Sequence, residues 1–186
     1  MKIAPVTERW NEGERDWSFV EAVAPSIKAW EQREGITLPA DYRSFMLTYN
    51  GGSIYPRLFK DNVPVGILPG TDQVSYIDRV SSWKNVEAHW RGEIYGAGLP
   101  PGHLLIGDTP GALQILMAVS EDRVGQVFGW VHSTNKWGTD GNTELYHLAN
   151  SFNGFLRQLY DDREQSDYEN WYLPAYRDVI KEFSTG

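Results

Sequence analysis

The chain contains no cysteine, which excludes disulfides and thiolate metal ligands and suits a reducing compartment. No apolar run approaches the ~20 residues that span a bilayer, and Met1-Lys2-Ile3-Ala4-Pro5-Val6 lacks the apolar core of a secretory signal. The expectation is a soluble, cytoplasmic protein with no membrane partner. Three catalytic signatures are also missing: the Gly-x-Ser-x-Gly elbow, the Gly-x-x-x-x-Gly-Lys phosphate cradle and the Gly-x-Gly-x-x-Gly dinucleotide turn. Positive charge is in deficit, with 17 Lys and Arg against 25 Asp and Glu, a formal net charge of −8. The sign of that field disfavours direct nucleic-acid binding and favours basic partners.

The remaining places for chemistry are few. His89, His103, His132 and His147 lie far apart in the chain, without the spacing that sets two ligands on one helical face. His132 and His147 either meet in space or sit as surface or packed side chains, and the second reading is preferred. The carboxylate pairs Glu121-Asp122 and Asp161-Asp162 fall in polar turns, where no apolar pocket raises a pKa for acid–base work. Asp108, between Gly107 and Thr109-Pro110-Gly111, reads as a turn former whose carboxylate caps backbone amides. No catalytic residue, metal ligand or cofactor is assigned, and the expectation is a protein that is not an enzyme. A hydrolase or transferase with a dispersed site remains as a third class.

What is present is one helix with a start, a buried face and a stop. Pro39 suits the first helical position and Asp41 the first turn, against the positive dipole end. Tyr42, Phe45, Met46 and Tyr49 follow at i, i+3, i+4 and i+7 and form one apolar stripe. Asn50-Gly51-Gly52 tolerates the left-handed backbone that closes a helix.

The rest of the chain is read around that helix. Residues 1–16 are a loosely structured lead-in; a short helix runs from Asp16 or Trp17 to Val23, and Pro25 opens another that carries Ile27 and Trp30 to a stop at Gly35. Val65-Gly66-Ile67-Leu68 suits a short strand, and Ser81 or Ser82 caps a helix to Arg91 with Trp83, Val86, Glu87 and Trp90 on one face. Leu104-Leu105-Ile106 and Ala112–Val119 form a hairpin, and from Gly125 to His132 Val127, Gly129 and Val131 alternate with Gln126, Phe128, Trp130 and His132. Helix returns over Leu148–Tyr160, with Leu148, Phe152, Phe155, Leu156 and Leu159 on one stripe, and Pro174 opens a last one carrying Tyr176, Val179, Ile180 and Phe183. With 186 residues, 41% of them hydrophobic, the chain makes one core. The fold class is α+β: an antiparallel meander of about five to six strands with helices packed on one side.

Gly35-Ile36-x-Leu38-Pro39-x-Asp41-Tyr42-Arg43-x-Phe45, running into Tyr49-Asn50-Gly51-Gly52, resembles the opening signature of the SUKH superfamily. Leu104-Leu105-Ile106-Gly107-Asp108, then Gly125-x-Val127-x-x-Trp130, then Leu148 to Leu156 are similar, in the same order, to its later blocks. Asn150 stands where the family usually has an acidic residue. The resemblance covers about residues 25–160 of a single SUKH-like domain, leaving an acidic connector and C-terminal helix over 161–186. It implies a non-enzymatic protein-binding domain: an immunity protein that neutralises a cognate toxin in a bacterial polymorphic toxin system; the acidic charge suits a basic partner, of which a nuclease is one kind, though the sequence does not single out a nuclease. The alternative it implies is an interaction scaffold in signalling or cell-wall and surface regulation.

Two features offer themselves as the docking surface. Asp161, Asp162 and Glu164 belong to a run with Asp167 and Glu169 that reads either as a solvated turn or as a patch that meets a basic partner. Eight Trp, ten Tyr and seven Phe exceed what the core stripes absorb. Trp10, Trp137, Tyr168, Trp171 and Tyr172 lie in loop-like segments, where they either fold back onto the domain or anchor a partner. The candidate partner-binding residues are thus Asp161, Asp162, Glu164, Trp137, Trp171 and Tyr172. For the core, Phe45→Ala is expected to cost about 3–5 kcal/mol in denaturant unfolding; a marginal change would show that the assigned stripe does not face the core.

Overall fold

A computed structural model describes residues 2–4, 18–68, 73–160 and 177–178. Its helices are α1 (Ser18–Glu34), α2 (Ala40–Tyr49), α3 (Trp83–Trp90) and α4 (Phe152–Arg157). Its strands are β1 (Lys2–Ala4), β2 (Ser53–Tyr55), β3 (Leu58–Lys60), β4 (Val74–Tyr76), β5 (Arg79–Val80), β6 (His103–Asp108), β7 (Leu113–Ala118), β8 (Val127–Val131), β9 (Tyr146–Ala149) and β10 (Arg177–Asp178). The fold is α+β, with a five-stranded antiparallel sheet in the order β5-β6-β7-β8-β9, a three-stranded sheet β10-β1-β2 and a two-stranded sheet β3-β4. Gly52 and Val80 exchange two backbone hydrogen bonds of 2.9 Å, which tie the end of β2 to β5. Among the described residues no helix is long and apolar enough to cross a membrane.

The core lies between the helices and one face of the five-stranded sheet. Tyr42, Phe45, Met46 and Tyr49 of α2 are all buried, as the stripe predicts, and Phe45 packs at 5.0 Å, centroid to centroid, on Phe152 of α4. From the sheet come Leu104, Ile106, Leu113, Ile115, Met117 and Val127. Trp30 of α1 makes edge contacts with both Trp83 and Trp90 of α3, at 5.5 and 5.3 Å, the geometry that aromatic quadrupoles prefer.

Both ends of α2 hold another helix. At its start, Asp41 is buried, and its carboxylate accepts from Tyr42 N–H and, through Oδ2 at 2.8 Å, from Asn153 N–H in the first turn of α4. Ser151 Oγ accepts from Gly154 N–H at 3.0 Å, so two of the orphan donors of α4 are met. At the other end, Asn50 is left-handed (φ 52°) and caps α2 through its own N–H to Met46 C=O. Its side-chain Oδ1 accepts from Trp83 N–H at 2.8 Å, the first helical residue of α3. Gly51 is obligatory for a different reason: a Cβ there would meet Val80 O at 2.6 Å, on a backbone at φ +85°.

Several expectations are corrected. The lead-in contains strand β1, because β2 and β10 supply ladder partners that no local pattern announces. The two helices expected on either side of Pro25 are one; Pro25 costs one backbone bond inside α1, and burial of Val23, Ile27 and Trp30 along one face outweighs it. Pro39 is the residue before α2 rather than its first, and Ser82, although at the cap position of α3, makes no side-chain cap bond, Asn50 having taken that role. Val65–Leu68 forms only an isolated bridge, and the strands of this region are β2 to β5. Leu148 lies in β9 instead of a helix, since Tyr146–Ala149 completes the edge of the main sheet beside β8. In the segment expected as the last helix, Arg177–Asp178 is a strand; its other residues lie outside the described ones. Asp41→Ala, which removes the acceptor of the buried Tyr42 N–H and of the half-buried Asn153 N–H, is expected to lower stability by about 1–3 kcal/mol. An unchanged urea midpoint would show that the bridge between α2 and α4 contributes nothing.

Candidate binding surface

The second face of the main sheet carries its own small cluster, and a bulge decides what stands on it. Between Leu105 and Gly107 the pairing of β6 with β7 shifts by one residue. Without that extra residue Asp108 would follow Leu104 and Ile106 into the core; with it, Asp108 points to the opposite face. Register then places Arg79, Asp108, Gln114 and Trp130 in one row across four strands, and Leu105, Leu116, Phe128 and His147 in the next. Leu105, Leu116 and Trp130 are buried and packed against Tyr95, Leu99, Trp137 and Leu145.

Two loops cover this face, and Asn142 clamps them together. Its Oδ1 accepts from Trp130 Nε1, and its Nδ2 donates to Gly98 C=O and Asn135 C=O, each at 2.8 Å. Trp137 N–H donates to Ala97 C=O at 2.8 Å. A Cβ at Gly98 would meet Ser133 O at 2.5 Å, so only glycine permits so close an approach of the two backbones. Both N–H donors of this buried amide and its carbonyl oxygen are thereby engaged, and the loops are held as one unit.

Aromatic and titratable groups converge beside the clamp. His89, in the last turn of α3, stacks on Tyr95 at 5.5 Å with 17° between the ring planes. Tyr95 in turn meets Trp130 edge-on at 5.3 Å and His132 at 5.5 Å. Asp108 Oδ1 lies 3.4 Å from Arg79 Nε, and Arg79 also reaches Asp78. Burial pushes the Asp108 carboxyl above its ordinary range, with Asp78 adding to the shift and Arg79 opposing it. Burial, then the charge of Asp108, raises the Tyr95 phenol. Burial lowers His89, Glu93 acting in the opposite sense, and His89 Nδ1 has no hydrogen-bond partner among the described residues. The other histidine rings meet polar atoms that orient them: His103 Nδ1 with Pro101 C=O, His132 Nδ1 with Ala112 C=O and His147 Nε2 with the Asn150 side chain. His132 belongs to the ring cluster of Tyr95 and Trp130, whereas His147 packs on Phe128. Among the described residues no group of three His, Asp or Glu could hold a metal ion.

Of the predicted docking residues, Trp137 is described: it is half-buried, folded back onto the second cluster with an edge left to solvent. Asp161, Asp162, Glu164, Trp171 and Tyr172 lie outside the described residues, as do Trp10 and Tyr168. Asp108 does not serve as the turn's cap. That role falls to Thr109, whose Oγ1 donates to Leu113 C=O at 2.9 Å and accepts from Gly111 N–H. Tyr95 and Asn142 were missed by sequence reasoning. Tyr95 sits among Gly92, Gly96 and Gly98, the same loop composition that singled out Trp137, so the signal for it was present.

A family model for the SMI1/KNR4 family (SUKH-1) matches residues 24–158, from α1 through the end of α4. A comparison with curated proteins returns no match. One pH effect follows from the surface itself. Because the folded His89 takes up a proton less readily than the unfolded one, the unfolded chain binds more protons just below the ordinary histidine value. Its contribution to stability is full above that value and is lost as pH falls through it. Tm is expected to drop between about pH 7 and pH 5, the span of an ordinary histidine titration, and to drop less in His89→Gln. Equal drops in both proteins would clear His89 of the effect.

Proposed function

The chain belongs to the SMI1/KNR4 family (SUKH-1), and from that premise we propose that it is an immunity protein that binds and neutralises a cognate bacterial toxin in the cytoplasm. The family is generally one of non-enzymatic binding domains, which supports occlusion rather than catalysis. The observation that carries the reading is the clamped outer surface, where Trp137, Tyr95 and Trp130 are set by Asn142 before any partner arrives. A half-buried Trp on a preorganised loop supplies apolar contact with little ordering cost, which favours slow dissociation. The net charge of −8 steers a basic partner, of which a nuclease is one kind, toward the protein. On charge and residue type alone, Asp161, Asp162, Glu164, Trp171 and Tyr172 are further candidates for contact with the partner. An interaction scaffold in cell-wall or surface regulation is the alternative that the same family membership supports.

Co-expression with the toxin domain encoded beside the gene is the direct test: growth and a co-purifying complex support immunity, and no rescue with any neighbouring product favours the scaffold. Within a rescuing pair, Trp137→Ala is expected to weaken binding by about 2 kcal/mol, the scale of an interface anchor. Reversing the charges at Asp161, Asp162 and Glu164 together is expected to slow association and flatten its salt dependence without loss of fold. Unchanged affinity and salt response would remove that patch from the interface.

A further inference from the structure

Strands β3 and β4 pair with Leu58 opposite Tyr76, Phe59 opposite Ser75 and Lys60 opposite Val74. Asp61 N–H donates to Gln73 C=O at 3.1 Å and Ile77 N–H to Arg57 C=O at 3.0 Å. An antiparallel ladder alternates hydrogen-bonded and non-hydrogen-bonded pairs. Since 57/77 and 61/73 are bonded pairs, 59/75 is the third, and the pairs 58/76 and 60/74 turn their main-chain groups outward. On the β3 side this is directly visible: Leu58 exchanges bonds of 3.1 and 3.0 Å with Tyr160. On the β4 side the N–H and C=O groups of Val74 and Tyr76 meet no partner among the described residues.

Natural edge strands are usually blunted by shortness, a charge, a proline or a bulge; β4 is three residues long, and Val74-Ser75-Tyr76 carries no charge and no proline. Val74 is 36% exposed, and the connection from β3 to β4 exposes Val65 (78%) and Ile67 (47%). We propose that the free edge of β4 takes up an extended segment of the partner protein as an added strand, an inference that rests on the partner-binding reading above. Two N–H and C=O sets on alternate residues complement only an extended backbone, and main-chain bonds supply the affinity. The edge presents Val74, with Lys60 opposite it, and the Tyr76 ring, with the Arg57 guanidinium 4.4 Å over its centroid, so it selects a segment without Lys or Arg and with an apolar, β-branched residue at every second position. A second copy of this chain is a poor occupant. Each copy carries a net charge of −8, and a three-residue edge offers far less area than a stable dimer needs.

The test uses the full chain, amide hydrogen exchange by NMR, and a capped heptapeptide of alternating threonine and valine as the probe. In the free protein the Val74 and Tyr76 amides should exchange faster than that of Ser75, which faces β3. Slow exchange there, or protection that grows with protein concentration alone, would mean that the chain or its own copy fills the edge and would overturn the proposal. Adding peptide should protect both amides. Tyr76→Pro removes an outward N–H without touching a ladder bond, whereas Tyr76→Ala removes the ring and keeps the N–H. The proline variant should bind the peptide about tenfold more weakly than the alanine variant, about 1.4 kcal/mol, with similar melting of both. N-methylation of the peptide's edge-facing amides should weaken binding to the unaltered protein in the same way, which keeps the test independent of the variant's folding. Equal peptide binding by both variants, or no protection at saturating peptide, overturns the edge assignment. With a toxin domain that the wild type neutralises, rescue lost only in Tyr76→Pro supports it, and rescue kept in both removes β4 while immunity stands. If the wild type rescues no toxin, immunity fails and the exchange experiment still decides the edge.

Discussion

A buried carboxylate and a buried amide, one at each end of α2, connect most of the fold. Helix termini leave N–H groups without partners, and burying them unsatisfied costs as much as several apolar contacts return. Asp41 meets that need for the first turn of α4, and Asn50 meets it for the start of α3. The apolar stripe between them, Tyr42 to Tyr49, then presses on Phe152 with the main-chain donors of Asn153 and Trp83 satisfied. Asp41, Asn50 and Gly51 are therefore better understood as joints than as parts of a site. The density of the family signature over these positions follows from three separate constraints: an acceptor at the start, an amide in left-handed backbone at the end, and a glycine where β5 passes too close for a Cβ.

The same economy governs the other face of the sheet. One extra residue in β6 turns Asp108 away from the core, where a carboxylate would be stranded, and toward Arg79 and solvent. That face is nevertheless too apolar to be left open, and the loops around Tyr95 and Trp137 cover it. Covering it brings two irregular backbones into contact, a situation that needs glycine at position 98 and a side chain able to serve three partners at once. Asn142 does both jobs of donor and acceptor. A surface built this way is held in place by its own hydrogen bonds.

The aromatic content divides along these lines. Trp30, Trp83 and Trp90 join α1 to α3, while Tyr42, Phe45 and Phe152 join α2 to α4. Tyr95, Trp130 and Trp137 instead belong to the outer cluster. Large rings thus fill the core and also supply the half-buried edge that a partner would meet. The edge of β4, unpaired among the described residues, adds a main-chain feature to this side-chain surface.

The sequence by itself determined α2, its stripe and its stop, the aromatic face of α3, and the alternation of β8, because each is written in residues a few positions apart. It also placed Phe152, Phe155, Leu156 and Leu159 in the core, although it carried their helix back over Leu148. What only the tertiary structure decided were the pairings: β1 with β2 and β10, β9 with β8, the continuity of α1 across Pro25, and the capping of α3 by Asn50 rather than Ser82. Trp137 was legible as a loop aromatic, whereas Asn142 and the turning of Asp108 onto the outer face were not. A propensity or a period is set by neighbours along the chain, but the partner of a strand edge, a bulged register or a buried amide is supplied by residues tens of positions away, and burial energy chooses among them only once the chain has closed.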